Sequence, residues 1–294
     1  MKQNKFYGTG AAIVTPFKSD MSIDFGSFEK IIRYLISNNV NYVVVLGTTG
    51  EAVTLSKEEK MELINSAVKT INKEVPLVIG IGGYNTAEII ENLRTLSFDN
   101  IDALLSVTPY YNKPNQKGLY EHFKALAEKC PVPVILYNVP GRTGINMTAD
   151  TTLKIAEEFK SKVIAIKEAS GNIDQISKII KYKPEGFTVI SGDDSLAVPS
   201  IAIGAKGVIS VVANAFPEKF TAMINAALDG NFSTAGSLHL HFLEIFSALF
   251  EEGSPAGIKA VLTTVGLCEN YLRLPLTPVS PALFEKLKSL TAKI

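Results

Sequence analysis

One lysine of the sequence stands where it could act as a nucleophile. Lys167 follows the apolar run 163–166, which has the composition of a buried strand. An ammonium group at the mouth of such an apolar element is poorly solvated, and poor solvation favours the neutral amine. A neutral lysine amine can attack a carbonyl carbon and form a Schiff base. A lysine whose ammonium simply reaches solvent is the alternative interpretation of Lys167 taken alone.

Hydroxyl groups follow other strand-like runs. Tyr137 ends the run 132–137, one unit before Lys167, and a phenol there could move protons if neighbouring groups assist it. Thr48 and Tyr111 supply two further hydroxyls, so a Tyr–Thr–Tyr chain could form a proton relay. Ordinary packing of aromatic rings and the strand preference of threonine would also explain each residue by itself.

Two features could bind an anion. The segment 47–51, Gly-Thr-Thr-Gly-Glu, combines glycine turns, the hydroxyls of Thr48 and Thr49, and free backbone N–H groups, which suit a carboxylate or phosphate oxygen. It is not a P-loop, because no Gly-Lys-Ser/Thr follows. Arg142 lies in a Pro-Gly loop and could hold a carboxylate through two hydrogen bonds. A plain turn and a solvated arginine are the alternatives.

The sequence gives little sign of a metal site. None of the histidines, His122, His239 and His241, has zinc-ligand spacing with a second acid or a cysteine pair. Asp193 and Asp194 could hold Mg²⁺, but capping of the next helix explains them more simply. A lysine-based reaction without metal or cofactor is therefore favoured.

A regular architecture must position these scattered residues. Short apolar runs recur about every 20–35 residues, a spacing typical of strand-plus-helix units. The runs are 10–14, 42–46, 77–81, 103–107, 132–137, 163–167, 187–190 and 207–211. Most are continuously hydrophobic, as expected for strands buried on both faces, and segments of helical spacing lie between them. This alternation predicts an α/β fold, a TIM (β/α)8 barrel, with an open doubly wound sheet as the alternative.

The barrel prediction explains why the reactive residues lie far apart in the chain. Active sites of such barrels lie at the C-terminal ends of the strands. The lysine, the two tyrosines, the threonine pair and the arginine described above each end or follow a predicted strand. We therefore expect them to converge on one rim, and this convergence is more informative than any single member.

Beyond residue 230 the strand pattern stops. Residues 231–294 predict three helices, at 232–250, 256–265 and 282–293, with three prolines before the last one. We predict a barrel over 1–230 and a C-terminal helical extension over 231–294. The extension should pack on the barrel, because about 60 residues form only a marginal core alone.

Composition excludes several classes of protein. Lys+Arg and Asp+Glu are both 29, so nothing marks the chain for nucleic acid or an anionic membrane surface. No stretch reaches the roughly 18 apolar residues of a transmembrane helix, and the start lacks the apolar region of a signal peptide. Cys130 and Cys268 are expected as free thiols, with a single bridge as the alternative. These features favour a cytoplasmic location.

The motifs in combination resemble the dihydrodipicolinate synthase family. The similarity runs in order over essentially the whole chain. The matching segments are Gly-Thr-Thr-Gly-Glu at 47–51, Thr-Pro-Tyr-Tyr at 108–111, Tyr-Asn-Val-Pro-Gly-Arg-Thr at 137–143, Lys-Glu-Ala-Ser-Gly at 167–171 and Ser-Gly-Asp-Asp at 191–194. The resemblance implies pyruvate as the keto acid, L-aspartate 4-semialdehyde as the acceptor, no cofactor, and a homotetramer built as a dimer of dimers.

The same resemblance implies roles for individual residues. Lys167 would form the imine with pyruvate, and Tyr137 would donate and accept the proton. Thr48 and Tyr111 would complete the relay, with Tyr111 supplied by a neighbouring subunit.

Three further residues are implied as substrate-binding groups. Thr49 and the backbone of Ile209 would bind pyruvate, and Arg142 would hold the carboxylate of the semialdehyde.

N-acetylneuraminate lyase and related sugar-acid aldolases share the fold and the lysine, but they generally lack this arginine and the paired threonines. A catalytically silent keto-acid sensor and a phosphate-binding barrel are more distant alternatives. The intact set of lysine, tyrosine and threonine argues against the silent sensor. The phosphate-binding barrel is disfavoured because the segment 191–194, after the seventh predicted strand, is acidic.

Regulation by lysine is expected to be weak or absent. Lysine-inhibited bacterial members of the family often carry histidines just after the 47–51 segment, where this chain has Lys57 and Lys60. Tyr84 stands where some sensitive members have asparagine, while Glu88 and Tyr110 remain. Two added cations should repel the ammonium group of lysine.

Overall fold

A computed structural model describes residues 5–294. Eight parallel strands form a closed barrel in which each strand pairs with the next and the last pairs with the first. The strands are β1 (Gly8–Ala12), β2 (Tyr42–Val45), β3 (Leu77–Gly80), β4 (Ala103–Val107), β5 (Val134–Asn138), β6 (Val163–Glu168), β7 (Thr188–Ser191) and β8 (Gly207–Ser210). The predicted barrel is confirmed, and the open sheet is excluded.

Helices follow the strands and cover the barrel. They are α1 (Phe25–Ser37), α2 (Lys57–Ile71), α3 (Thr86–Thr95), α4 (Gln116–Lys129), α5 (Pro140–Thr143), α6 (Ala149–Glu158), α7 (Ile173–Tyr182), α8 (Ala197–Ala202) and α9 (Pro217–Leu228). Short 3₁₀ turns occupy Thr48–Gly50, Ala52–Thr54 and Val212–Asn214. The start of α2 shows how the sequence defines these bounds. The Ser56 hydroxyl accepts from the Glu59 N–H and the Glu59 carboxylate accepts from the Ser56 N–H, and this reciprocal pair is a capping box.

The apolar core has two layers, one inside the barrel and one between the barrel and its helices. Strand residues alternate between the layers because successive side chains point to opposite faces. In β6, Ala165 belongs to the inner layer and Ile166 to the outer one. The same alternation directs Lys167 into the barrel and Glu168 towards the helices.

The first strand begins and ends two residues earlier than predicted. Val14 is buried and apolar, but its N–H donates to the side-chain oxygen of Asn214 instead of to a neighbouring strand. At the other end, β1 and β8 approach so closely that a Cβ atom on Gly207 would lie 2.0 Å from the carbonyl oxygen of Gly8. Glycine at 207 therefore allows the barrel to close.

Four helices follow the barrel, where three were predicted. They are α10 (Phe232–His241), α11 (Leu243–Ala248), α12 (Ala256–Thr264) and α13 (Pro281–Thr291). The predicted helix 232–250 is wrong because it is interrupted at Phe242. The Phe242 N–H donates to both His239 and Leu238 carbonyls, which tightens the turn, and its ring is fully buried against Phe220. The division of the chain at residue 230 stays a prediction.

Cys130 and Cys268 are buried free thiols, as expected. Burial raises the pKa of both, and that of Cys268 to about 12, so both are held as unreactive thiols.

Within residues 5–294, no helix combines the length and the apolar character needed to span a bilayer.

Candidate active site

Lys167 lies near the C-terminal end of β6, and its neighbours are set by strand register. Its strand partners are Tyr137 in β5 and Ile190 in β7. Lys167 and Tyr137 are each 6% exposed, so both are almost withdrawn from solvent. The Lys167 Nζ lies 4.4 Å from the centroid of the Tyr137 ring. The structure thus brings together the two residues predicted to carry the chemistry.

Gly192 leaves the space that the Lys167 side chain occupies. A Cβ atom at position 192 would lie 3.1 Å from both Cγ and Cε of Lys167, and 2.6 Å from Cβ of Ala169. A larger residue would therefore clash with Ala169 and crowd the lysine side chain. Sequence reasoning missed this role, because the contact depends on the pairing of β6 with β7.

One hydrogen bond connects the 47–51 turn to the loop after β1, and another lies within the turn. The Thr15 hydroxyl donates to the Gly50 carbonyl oxygen at 2.7 Å, and the Glu51 N–H donates to the Thr48 carbonyl oxygen at 3.1 Å. Thr49 is buried, whereas Thr48 is exposed. The turn thus presents one hydroxyl residue to the interior and one to the open side.

A buried carboxylate supports β5 and β6 from outside the barrel. Asn138 Nδ2 donates to both carboxylate oxygens of Glu168 at 3.1 Å, and the Ser170 N–H and Gln175 Nε2 donate at 2.8 and 3.0 Å. Burial raises the pKa of Glu168, and these hydrogen bonds oppose the rise. The network ties together the two strand ends that carry the central pair. It was not predicted from the sequence.

The two aspartates after β7 have different partners, which corrects the capping prediction. Asp193 does accept from the Ser195 N–H at 2.9 Å, just before α8. Asp194 instead accepts from the N–H groups of Val211 and Val212, each at 3.0 Å, and so connects the end of β7 to the end of β8. Burial raises the pKa of Asp194 to about 6. The capping assignment is wrong for both aspartates. Helix α8 follows Leu196 and has no side-chain cap, Asp193 accepts only from residues that precede the helix, and the Asp194 side chain turns towards the neighbouring strand.

The other three predicted residues lie on different parts of the fold. Arg142 is exposed on α5, and its Nη2 donates to the Ser254 carbonyl oxygen at 3.4 Å, a long contact that reaches the C-terminal helices. Tyr111 is 87% exposed with φ at 68°, so its ring is not packed within this chain. Ile209 is buried inside the barrel on β8, paired with Gly10.

The histidines do not form a metal site. His122 is buried, its Nδ1 lies 2.8 Å from the Thr86 hydroxyl, and burial lowers its pKa to about 4. It is therefore a neutral packing residue between α3 and α4. Over residues 5–294, no group of three or more His, Cys, Asp and Glu side chains is arranged to hold a metal ion.

A buried lysine beside a tyrosine at the C-terminal ends of adjacent barrel strands defines an enzyme, a lyase of the class I aldolase type. The chain belongs to the dihydrodipicolinate synthetase family, whose model matches residues 5–294. The resemblance seen in the sequence motifs is therefore confirmed.

Individual relatives agree with this assignment over nearly their full length. The 4-hydroxy-tetrahydrodipicolinate synthase of Parabacteroides distasonis is 50% identical, over 98% of this chain and 96% of that protein. The crystal structure of dihydrodipicolinate synthase from Aquifex aeolicus has a TM-score of 0.94 at 40% identity and 98% coverage of both chains. The enzyme from Cyanidioschyzon merolae, solved with lysine bound, has a TM-score of 0.95 at 36% identity and 99% coverage of both chains.

Proposed function

We propose that this chain condenses pyruvate with L-aspartate 4-semialdehyde to form 4-hydroxy-tetrahydrodipicolinate, in the diaminopimelate route of lysine biosynthesis. The observation that carries the proposal is the buried Lys167, with its Nζ 4.4 Å from the Tyr137 ring centroid at the barrel mouth. Family membership supplies the substrates, and this pair supplies the chemistry.

The reaction runs through an imine. The neutral Lys167 amine adds to the keto carbon of pyruvate, and loss of water gives the imine. Removal of a methyl proton gives an enamine, whose carbon attacks the aldehyde carbon of the semialdehyde. The amino group of the semialdehyde then attacks the imine carbon, which closes the ring and releases the Lys167 amine. Tyr137 is the group best placed to move protons in these steps.

The remaining members of the relay come from two directions. Thr48 is exposed on the 3₁₀ turn, so its hydroxyl is available to a group from outside the barrel. Tyr111 projects from its own chain and would enter the site of a neighbouring subunit. The relay therefore requires at least a dimer, and we assign the chain as a cytoplasmic homotetramer, a dimer of dimers.

The substrates would be held by their carboxylates. Thr49 lies buried in the 3₁₀ turn, and the first N–H groups of this turn have no partner within the turn itself, so they suit the carboxylate of pyruvate. Ile209 lines the barrel interior, where its backbone can also meet pyruvate. Arg142 lies exposed after β5 and can grip the semialdehyde carboxylate with two hydrogen bonds. Its contact with the Ser254 carbonyl is long, so it can be exchanged for a substrate carboxylate.

Borohydride trapping tests the mechanism. Reduction in the presence of pyruvate should add one pyruvate-sized mass, mapped by peptide analysis to Lys167. Lys167→Ala should give no adduct. Lys178→Ala, which removes a surface lysine paired with Asp150, should label like the wild type. Absence of an adduct on folded wild-type protein would remove the imine and leave a keto-acid sensor as the better explanation.

The acceptor is tested separately with Arg142. Arg142→Leu should raise the KM for the semialdehyde by about tenfold or more, because a charge-assisted carboxylate contact is lost. The pyruvate adduct on Lys167 should form as before. A preference for an aldose over the semialdehyde in the wild type would instead favour a sugar-acid aldolase.

A further inference from the structure

A buried ion pair joins the 47–51 turn to the C-terminal helices. The Lys259 Nζ lies 2.5 Å from the Glu51 carboxylate, and both side chains are 0% exposed. Lys259 comes from α12, whereas Glu51 is the last residue of the 47–51 turn, which also carries Thr48 and Thr49. The pair thus connects two parts of the chain that are remote in sequence.

The surroundings of Glu51 hold it in one conformation. Its backbone is left-handed, with φ at 52° and ψ at 32°, which is uncommon for a residue with a side chain. Its second carboxylate oxygen accepts from the Arg273 N–H at 3.2 Å. Lys259 also donates to the Tyr271 carbonyl oxygen at 2.8 Å and lies 4.2 Å from the centroid of the Phe17 ring. The ion pair therefore contacts both the first strand's loop and the C-terminal segment.

Arg273 forms a second link, which reaches the start of α2. Its guanidinium donates to both oxygens of Glu59, at 2.7 and 2.5 Å, and to the carbonyl oxygens of Met21 and Thr54. Glu59 caps the start of α2 through Ser56. The segment between the turn and α2 is thus held at both ends by residues of the C-terminal extension.

Stability alone explains this arrangement poorly. Withdrawing two charges from water is costly, and replacing a buried ion pair with apolar residues is often neutral or stabilising. Burial lowers the pKa of Lys259, and the nearby Glu51 carboxylate opposes that effect. What the ion pair does provide is a directional contact, which specifies one position for the turn.

We propose that Lys259 and Arg273 are positioning residues, which hold the Thr48–Thr49 turn against the barrel mouth through Glu51 and Glu59. The proposal rests on the function assigned above, because that function gives Thr48 and Thr49 their roles. The C-terminal extension is then part of the catalytic arrangement without touching substrate.

The main test replaces the ion pair by a neutral one. In Glu51→Gln/Lys259→Met no buried charge is left unpaired, and the amide oxygen introduced at position 51 can still accept from the Arg273 N–H. The control is Lys286→Gln, which removes an exposed ion pair with Glu251 that lies wholly within the extension. Thermal unfolding identifies variants that fold, and kinetics are measured with each substrate varied in turn.

The expected result is a specific kinetic pattern. In the folded double variant the KM for pyruvate should rise about tenfold through Thr49, and kcat should fall about 10- to 100-fold through Thr48, as small misplacements do. The KM for the semialdehyde, bound by Arg142, should stay unchanged. A partly unfolded population would lower kcat alone, since it does not change KM. Wild-type kcat and KM in the folded double variant would overturn the proposal.

Arg273 variants decide the matter if the double variant does not fold. Arg273 is only partly buried, so Arg273→Leu should fold and show the same pattern at smaller amplitude. Arg273→Lys should recover part of the loss, and Lys286→Gln should match the wild type. Unchanged kinetics in Arg273→Leu would count against the proposal. Failure of wild-type enzyme to form the pyruvate adduct would instead reject the proposed function, so the two failures are distinguishable.

Discussion

At the scale of single residues, the site depends on how closely Tyr137 packs against Lys167. The aromatic ring and the hydroxyl of Tyr137 have two separable roles. The ring lies beside the lysine and limits its contact with water, while the hydroxyl is the group that can move a proton. A substitution that keeps the ring isolates the second role.

Tyr137→Phe should keep the fold and lower kcat by about 10²- to 10⁴-fold, the usual range for loss of a general acid or base. The measurement is steady-state condensation of pyruvate with the semialdehyde. Prolonged incubation with pyruvate and borohydride should still label Lys167, because the nucleophile is intact. A kcat equal to that of the wild type would exclude Tyr137 from proton transfer.

Residue type and strand position were enough to predict these two positions. They were not enough for Gly192, where a Cβ atom would meet both Ala169 and the Lys167 side chain. Nor did they show the Glu168 network, because its donors come from a strand, a loop and a helix. Residues that react can be found from their chemistry, whereas residues that make room or give support need the packing.

At the scale of elements, Asp194 is the link between two strand ends. It accepts two N–H groups at the end of β8 from a position just after β7. Its pKa is raised from 3.8 to about 6 because burial disfavours the charged carboxylate. Folding is therefore coupled to protonation at this site.

The raised pKa predicts a pH-dependent stability. Well below the unfolded pKa of 3.8 the Asp194 carboxyl is protonated in both the folded and the unfolded chain, so its contribution to the free energy of unfolding is full. As the pH rises from 3.8 through about 6, the carboxyl ionises first in the unfolded chain, and this contribution is lost. The loss is about 3 kcal/mol over the whole window, since one pKa unit is about 1.4 kcal/mol.

Asp194→Asn isolates this effect, because the amide oxygen can accept the same N–H groups and does not titrate. The free energy of unfolding is measured in urea between about pH 3 and pH 7 for both proteins. The wild type should lose about 3 kcal/mol relative to the variant over this range. Other titrations, including that of His122, cancel in the difference. A difference that stays constant with pH would contradict the prediction.

At the scale of the whole molecule, the proposed relay needs a residue from a second subunit. Tyr111 is 87% exposed on its own chain. If it completes the site of a neighbour, each site combines Lys167 from one subunit with Tyr111 from another. Catalysis then depends on association as well as on folding.

Mixed oligomers test this arrangement. Lys167→Ala and Tyr111→Phe should each be strongly impaired alone. Protein refolded or co-expressed as an equal mixture should regain activity, up to about a quarter of the wild-type value, because half of random dimers carry one intact site of two. Activity no greater than the average of the separate variants would show that Tyr111 acts, if at all, within its own chain.

Weak inhibition by lysine stays a prediction for the whole enzyme. Lys60 is partly buried near Glu88, and the Tyr84 and Tyr110 rings meet edge to face at 5.7 Å. Burial lowers the pKa of Lys60, and the Glu88 carboxylate opposes this. A carboxylate already accompanied by a cation attracts a further ammonium group less strongly.

Lysine titrations of the condensation rate check this prediction, with Lys60→Ala as the comparison. The wild type should keep its rate at sub-millimolar lysine. The variant, with one cation fewer beside Glu88, should be inhibited more strongly. Substantial inhibition of the wild type in the same range would contradict the charge argument.

The amino-acid sequence by itself determined the barrel and the rim. Hydrophobic runs and helical periodicity are local properties, and eight repeats of them close into one architecture that places strand ends together. The tertiary structure decided what depends on long-range contact. The predicted helix 232–250 is interrupted at Phe242, the Asp194 side chain lies towards β8, and Lys259 pairs with Glu51. These outcomes follow from which surfaces meet after folding, and no local pattern of residues encodes that.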